Sequence, residues 1–279
     1  MLPNFKIWLN HFEYHAEHPR RLPEGVPNVL TVPERNLIAP SIATFQLGEQ
    51  SPGSNLLRAA YHFAQRHSAP EVARITELLI REEQHHAALL KSFMAAHGIP
   101  TRQHHWTDRV FRRIRKLSEL EFSLGVLLIA ELIGNVYYRA LETVTECQRL
   151  RLLCRMMVAD ELAHIGFESD LLLSMRAQKS APVRAALDLA QRSFLAGAAL
   201  VVWATHRPVL KKAGYGLWSF IRACDAQYRF YLLPPVSPRR APRRAAGASR
   251  DFLRCAPVAA GARRDSLRCA LVRLYQRAR

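Results

Sequence analysis

Two five-residue strings, Glu82-Glu83-Gln84-His85-His86 and Asp160-Glu161-Leu162-Ala163-His164, are near copies of each other, both of the form acid-Glu-x-x-His. A lone carboxylate precedes each: Glu49 lies upstream of Glu83 and Glu131 upstream of Glu161, at similar separations. The potential ligands therefore run Glu, Glu-x-x-His, Glu, Glu-x-x-His, the order in which four helices of a bundle project side chains toward two metal ions in their shared core. Residues three apart on an α-helix share a face and lie about 5–6 Å apart, so a Glu oxygen and a His nitrogen can converge on one ion. Mixed oxygen and nitrogen donors suit iron or manganese, whereas a soft-metal site would ask for thiolates. Four carboxylates also offset the charge of two divalent cations.

One Glu-x-x-His by itself carries little weight. With 16 Glu and 12 His in 279 residues, chance supplies roughly 0.7 such pairs. Three occur, two of them overlapping, and paired acids and histidines on a helix are often only a solvated face. The surrounding apolar pattern adds the missing information. In one segment the helical stripe runs Val72, Ile75, Leu79, Glu83, His86, Leu90, Phe93; in another it runs Leu150, Leu153, Met157, Glu161, His164, Leu171. The charges interrupt the core-facing stripe and do not lie opposite it. Unpartnered, such buried carboxylates would be very costly.

The single-Glu segments follow the same pattern. Leu124, Leu128, Glu131, Asn135 and Tyr138 step by threes and fours through the very apolar stretch from Phe122 to Ile133. Upstream, Ile42, Phe45, Glu49, Leu56, Ala60 and Phe63 do likewise, but Pro52 and Gly53 fall among them. Proline removes a backbone hydrogen bond from a helix interior. Either that helix bends just after Glu49, or a new one starts near Ser51 as N-cap with Pro52 as its first residue. In the first repeat Glu82 and His85 form a competing pair; Glu83 and His86 are preferred because they align with Glu161 and His164. Glu82 and Asp160 then hold equivalent places just before each ligating Glu. There they either face solvent or accept a hydrogen bond from the far nitrogen of a ligand histidine and fix its tautomer. Tyr138, on the face of Glu131, is either a proton or electron donor or a core tyrosine with its hydroxyl satisfied.

These patterns predict an all-α chain: long helices, short turns, 12 Gly and little strand-like alternation. Turns are marked at His67-Ser68-Ala69-Pro70, His97-Gly98-Ile99-Pro100-Thr101 and around Thr145 to Gln148. The stretch from Arg102 to Leu127 is longer than a bundle hairpin needs, and its Asp108–Lys116 segment is expected to form a crossover helix. The expected organisation is an N-terminal extension (1–40), a four-helix bundle (41–175), additional packed helices (176–236) and a basic tail (237–279). Pro182 to Ala204 and Arg222 to Leu233 read as helices. The apolar run Phe194–Ala204 is too short to span a bilayer. Trp218, Phe220, Tyr228, Phe230 and Tyr231, with Lys211 and Lys212, either close the end of the bundle or lie on a membrane surface.

Charge is uneven: of the net +17, the tail contributes +10 through twelve Arg and two Asp. Its weak apolar pattern reads as disordered or loosely helical. It offers phosphate-binding charge without aromatics beside base-reading residues, so no specific nucleic-acid recognition is expected. Cys147, Cys154, Cys224, Cys255 and Cys269 form no C-x-x-C pair and fit a reducing cytosol. The N-terminus lacks the long apolar stretch of a secretory signal, so a cytoplasmic location is expected. No glycine-rich phosphate loop or G-x-S-x-G turn is present.

From residue 41 to about 175 the chain resembles the ferritin-like di-iron carboxylate superfamily. The stretch Thr44-Phe45-Gln46-Leu47-Gly48-Glu49, with the two acid-Glu-x-x-His strings, is similar to bacterial ferritin-like domain proteins. The resemblance implies a ferritin-like four-helix bundle and two iron ions, with manganese or a mixed iron–manganese pair as variants. It implies Glu49, Glu83, His86, Glu131, Glu161 and His164 as ligands. It also implies an oxygen-dependent oxidoreductase, an oxygenase or oxidase, whose partners are dioxygen or peroxide and an electron donor. A homodimer is compatible with it. The rival expectations are an iron-handling protein without a substrate, and a degenerate bundle that holds no metal.

Overall fold

A computed structural model of the chain describes residues 4–103 and 119–233. Met1–Leu232 belong to one compact unit, and Leu233 is the only described residue of a second. The described residues are helical and contain no strand, as the scarcity of glycine and the periodicity predict. The segment Asp108–Lys116, the tail 237–279, Cys255 and Cys269 lie outside the described residues.

Helix α1 (Lys6–Glu17) buries Trp8 and Phe12. Helix α2 (Val32–Glu49) opens with a capping box: Thr31 Oγ1 accepts from the Glu34 amide (3.3 Å), and Glu34 Oε2 accepts from the Thr31 amide (3.1 Å). Two otherwise orphaned N–H groups are thereby satisfied. The helix begins ahead of residue 41 and carries Pro40 inside it, so the expected boundary between extension and bundle falls within a helix.

Helix α2 stops at Glu49, and α3 (Ser54–His67) starts after Gly53. Pro52 thus sits in a break and not at the first position of a helix capped by Ser51, as one sequence alternative had it. Gly53 carries the turn at φ +63°, and a Cβ there would meet the Ile80 side chain at 2.6 Å. Only glycine offers both the left-handed backbone and that close approach. Ser68, also left-handed at φ 51°, ends α3, and Pro70 begins α4 (Pro70–Ala96), where a missing N–H costs nothing.

Helices α5 (Leu120–Val144) and α6 (Gln148–Ala177) form an extensive antiparallel pair across the short link at Thr145–Cys147. Helix α4 packs on α1, α2, α3 and α6. Beyond them lie α7 (Ala181–Thr205), α8 (Arg207–Lys212) and α9 (Leu217–Leu232), with α9 packed on α7 and α5. The last helix starts several residues before the expected Arg222. The apolar stripes anticipated in α4, α5 and α6 are buried: Val72, Ile75, Leu79, Leu90 and Phe93; Leu124 and Leu128; Leu150, Leu153, Met157 and Leu171.

The N-terminal residues belong to this core. Trp8 donates its indole N–H to Asp170 Oδ2 (3.0 Å), and its ring lies so close to α6 that a Cβ on Gly166 would sit 2.4 Å from it. Gly166→Ala is therefore expected to cost about 1–3 kcal/mol through overpacking, despite alanine's better helix propensity. Gly48→Ala, with nothing within 4 Å, should not destabilise. Urea midpoints of the two variants provide the comparison.

Candidate metal centre

Four helices each deliver part of one buried polar cluster. Helix α2 contributes Glu49 at its last residue, α4 contributes Glu83 and His86, α5 contributes Glu131, and α6 contributes Glu161 and His164. Among these, Glu131, Glu161 and both histidines are buried. One ligand atom from each of Glu49, Glu83, His86 and Glu161 lies within 4.8 Å of the others, and the same holds for Glu83, Glu131, Glu161 and His164. Glu83 and Glu161 belong to both sets. All six side chains expected as ligands are thus brought together.

Each imidazole turns its Nδ1 inward. His164 Nδ1 lies 3.0 Å from Glu83 Oε1 and 3.3 Å from Glu161 Oε2; His86 Nδ1 lies 3.7 Å from Glu83 Oε1 and 3.6 Å from Glu161 Oε1. None of His86 Nδ1, His164 Nδ1, Glu83 Oε1 or Glu161 Oε2 makes a well-directed hydrogen bond, although all are buried. Buried polar atoms are nearly always satisfied. Two nitrogens and two oxygens that converge on one volume, in contact but without directed hydrogen bonds, fit a cation.

The outer nitrogens are held from outside, in a crossed arrangement. Asp160 of α6 meets His86 Nε2 at 3.2 Å, while Glu82 of α4 meets His164 Nε2 at 3.0 Å. Each repeat's leading acid therefore steadies the histidine of the other repeat. His85 is directed elsewhere, with its Nε2 3.2 Å from the Arg20 carbonyl. Tyr138 donates its hydroxyl to Glu49 Oε1 in a short hydrogen bond.

Sequence reasoning missed a contribution from the N-terminal segment. His15 Nδ1 lies 3.2 Å from Glu82 Oε1, Arg20 Nε lies 2.7 Å from Asp160 Oδ1, and the Phe12 ring stacks on His164 with centroids 5.8 Å apart. The available signal was the stripe Trp8, Phe12, His15, which continues an apolar helix face into a histidine. Also missed was Glu168, fully buried one turn beyond His164 and close enough to raise the pKa of Glu131.

The electrostatics follow from putting many acids in one dry place. Burial raises the Glu49 carboxyl well above its usual range, and the charges of Glu83 and Glu161 add to this. Burial does the same to Glu131, again with Glu161 and Glu83 adding to it. Burial also opposes ionisation of Glu83, but His164 and His86 outweigh it and bring Glu83 down to about 2. For Glu82, burial is likewise overcome, by hydrogen bonds to His15 and His164, and the group stays ionised. Burial would lower both ligand histidines, yet the surrounding carboxylates raise His86 and raise His164 further. Burial, and then the charge of Glu49, keep Tyr138 protonated.

Without metal, the protonated forms of Glu49, Glu131, His86 and His164 are all favoured over those of the free side chains. The chain matches no known family model, no curated protein and no solved structure.

Proposed function

We propose that this cluster is a ferritin-like di-metal centre that takes iron, and that the protein is an oxygen-dependent oxidoreductase. One observation carries the reading: two four-residue ligand sets share Glu83 and Glu161, and both His Nδ1 atoms point into the shared volume without a well-directed hydrogen bond. Glu49 and His86 would hold one ion, Glu131 and His164 the other, and Glu83 and Glu161 are placed to serve both. Oxygen and imidazole donors without thiolate favour iron or manganese.

When bound, a ferrous pair supplies the electrons for reduction of dioxygen or peroxide, and an external donor must restore them. The chain's own residues prepare the site. Asp160 and Glu82 accept the Nε2–H of His86 and His164, which fixes the tautomer and leaves each Nδ1 lone pair free to ligate. Arg20 and His15 in turn steady those two acids. Tyr138 holds a proton at its hydroxyl oxygen and orients Glu49 through it. Phe12 covers one face of His164 and keeps water from that side.

Titration with excess ferrous iron in air tests the proposal. The protein should saturate near about two irons per chain, the capacity of such a core, and react again only after re-reduction. Hundreds of irons retained in a large assembly would make it an iron store. Less than about 0.2 equivalents after anaerobic reconstitution, against the two such a core holds, would make it a metal-free bundle. Elemental analysis of the same samples distinguishes iron, manganese and mixed occupancy.

A further inference from the structure

Helix α7 buries Gln191, Leu195, Ala198 and Ala199 on its inner side, yet its outer side is no more charged. Beyond its first turn its only charged residues are Asp188 and Arg192, and both are turned toward α9. Tyr228 donates its hydroxyl to Asp188 Oδ1 (2.8 Å), and Arg192 pairs with Asp225 Oδ1 (3.0 Å). The outward side carries Leu189, Ala190, Ser193, Gly197, Leu200 and Ala204, all exposed and spaced by helical turns, without a charge. Leu189 is 68% exposed. Helices α5 and α7 are both long and apolar enough to cross a membrane by composition, yet α5 is mostly buried and α7 mostly uncovered. A continuous uncharged face of this length, left uncovered among the described residues, marks a surface with a partner.

Helix α9 extends the surface. It runs antiparallel to α7: Tyr228, near its end, meets Asp188, while Tyr215, just ahead of its start, accepts the indole N–H of Trp203 (3.1 Å). Of the aromatics that the sequence placed at a bundle end or a membrane, Phe220 and Tyr228 are buried, whereas Trp218 (71%) and Phe230 (56%) stand exposed. They sit at opposite ends of α9, with Arg222, Ala226 and Arg229 exposed between them.

Charge selects the partner. Asp188 and Asp225 are the only acids from residue 181 to 232, and both are engaged in the α7–α9 contacts. Lys211, Lys212 and Arg222 are exposed. A second copy of this face would bring like charges together, which opposes association. An anionic bilayer offers both apolar depth and complementary charge, and tryptophan favours the membrane interface. We propose that the α7–α9 face docks on the surface of an anionic lipid bilayer, with α7 lying in the headgroup plane.

Flotation of the full chain with phosphatidylcholine vesicles, with and without phosphatidylglycerol, tests this. Binding is expected only to the anionic vesicles. Brominated acyl chains should quench tryptophan emission, and Trp218→Phe should remove that quenching. The triple variant Leu189→Ser, Leu200→Ser, Trp218→Ser should lose at least about tenfold in partitioning, from the apolar area withdrawn, while its helix content and metal content stay unchanged. Three results would overturn the proposal. One is no vesicle binding by the native chain. Another is unchanged binding by the triple variant, which would assign the attraction to the arginines of the tail. The last is a dimer-to-monomer change in the triple variant without loss of vesicle binding, which would assign the face to a second copy.

Discussion

Glu161→Ala should empty both metal positions at once, whereas Glu131→Ala should empty one. The difference follows from membership: Glu161 and Glu83 belong to both ligand sets, Glu131 and Glu49 to one each. Against about two ions per native chain, elemental analysis should find near zero for Glu161→Ala or Glu83→Ala and about one for Glu131→Ala or Glu49→Ala. His86→Ala should likewise lose metal, while His85→Ala should keep it, because His85 faces the Arg20 carbonyl and not the cluster. Asp160→Asn keeps every ligand but removes the anion at His86 Nε2. Loss of such a supporting partner typically weakens metal affinity about 10- to 100-fold. Equal losses for the shared and unshared glutamates would contradict this sharing of ligands.

Stability of the metal-free protein should fall as pH rises from about 5 to 8, by linkage, and metal should reverse the fall. Glu49, Glu131, His86 and His164 all have raised pKa values in the fold. The folded chain therefore binds more protons than the unfolded one, and the slope of stability against pH is negative. For the histidines, the stabilisation is complete below their ordinary 6.5 and lost as pH climbs through the raised values. For Glu49 and Glu131, nothing is lost below 4.5, and a cost grows above it as the unfolded groups ionise and the folded ones cannot. Glu82 and Glu83 act oppositely: their depressed values stabilise above 4.5 and fail on acidification. Metal should displace protons from these raised groups, since ligands must deprotonate to bind. Calorimetric titration in buffers of different ionisation enthalpy counts them. At free metal a thousandfold above Kd, each site adds about 4 kcal/mol, which should raise Tm by roughly 10 °C. A metal-free protein whose stability is flat across that range would refute the protonation scheme.

Much of this protein is readable along the chain, because helices are local objects. The 3.6-residue period in 70–96, 120–144 and 148–177 defines three long helices and the face each buries, and Pro70, Gly98 and Thr145 mark where they stop or start. The same period singles out Glu83, His86, Glu131, Glu161 and His164, because a charge inside an apolar stripe is conspicuous without any knowledge of its neighbours. Pro52 announces a break after Glu49, but the restart at Ser54 depends on Gly53 lying against Ile80, residues from different helices.

Contacts between helices were decided by the tertiary structure alone. Periodicity places Asp160 and Glu82 beside ligands of their own helices, yet packing gives each to the histidine of the other. Nothing local ties Phe12, His15 or Arg20 to a cluster formed by distant helices; burial of Trp8 against Gly166 draws that segment in. The outward apolar face of α7 is equally invisible in sequence, where the run Phe194–Ala204 shows apolar character but not which side is left uncovered. A periodic pattern says which residues share a face of a helix, and only the positions of the other helices determine which face is covered.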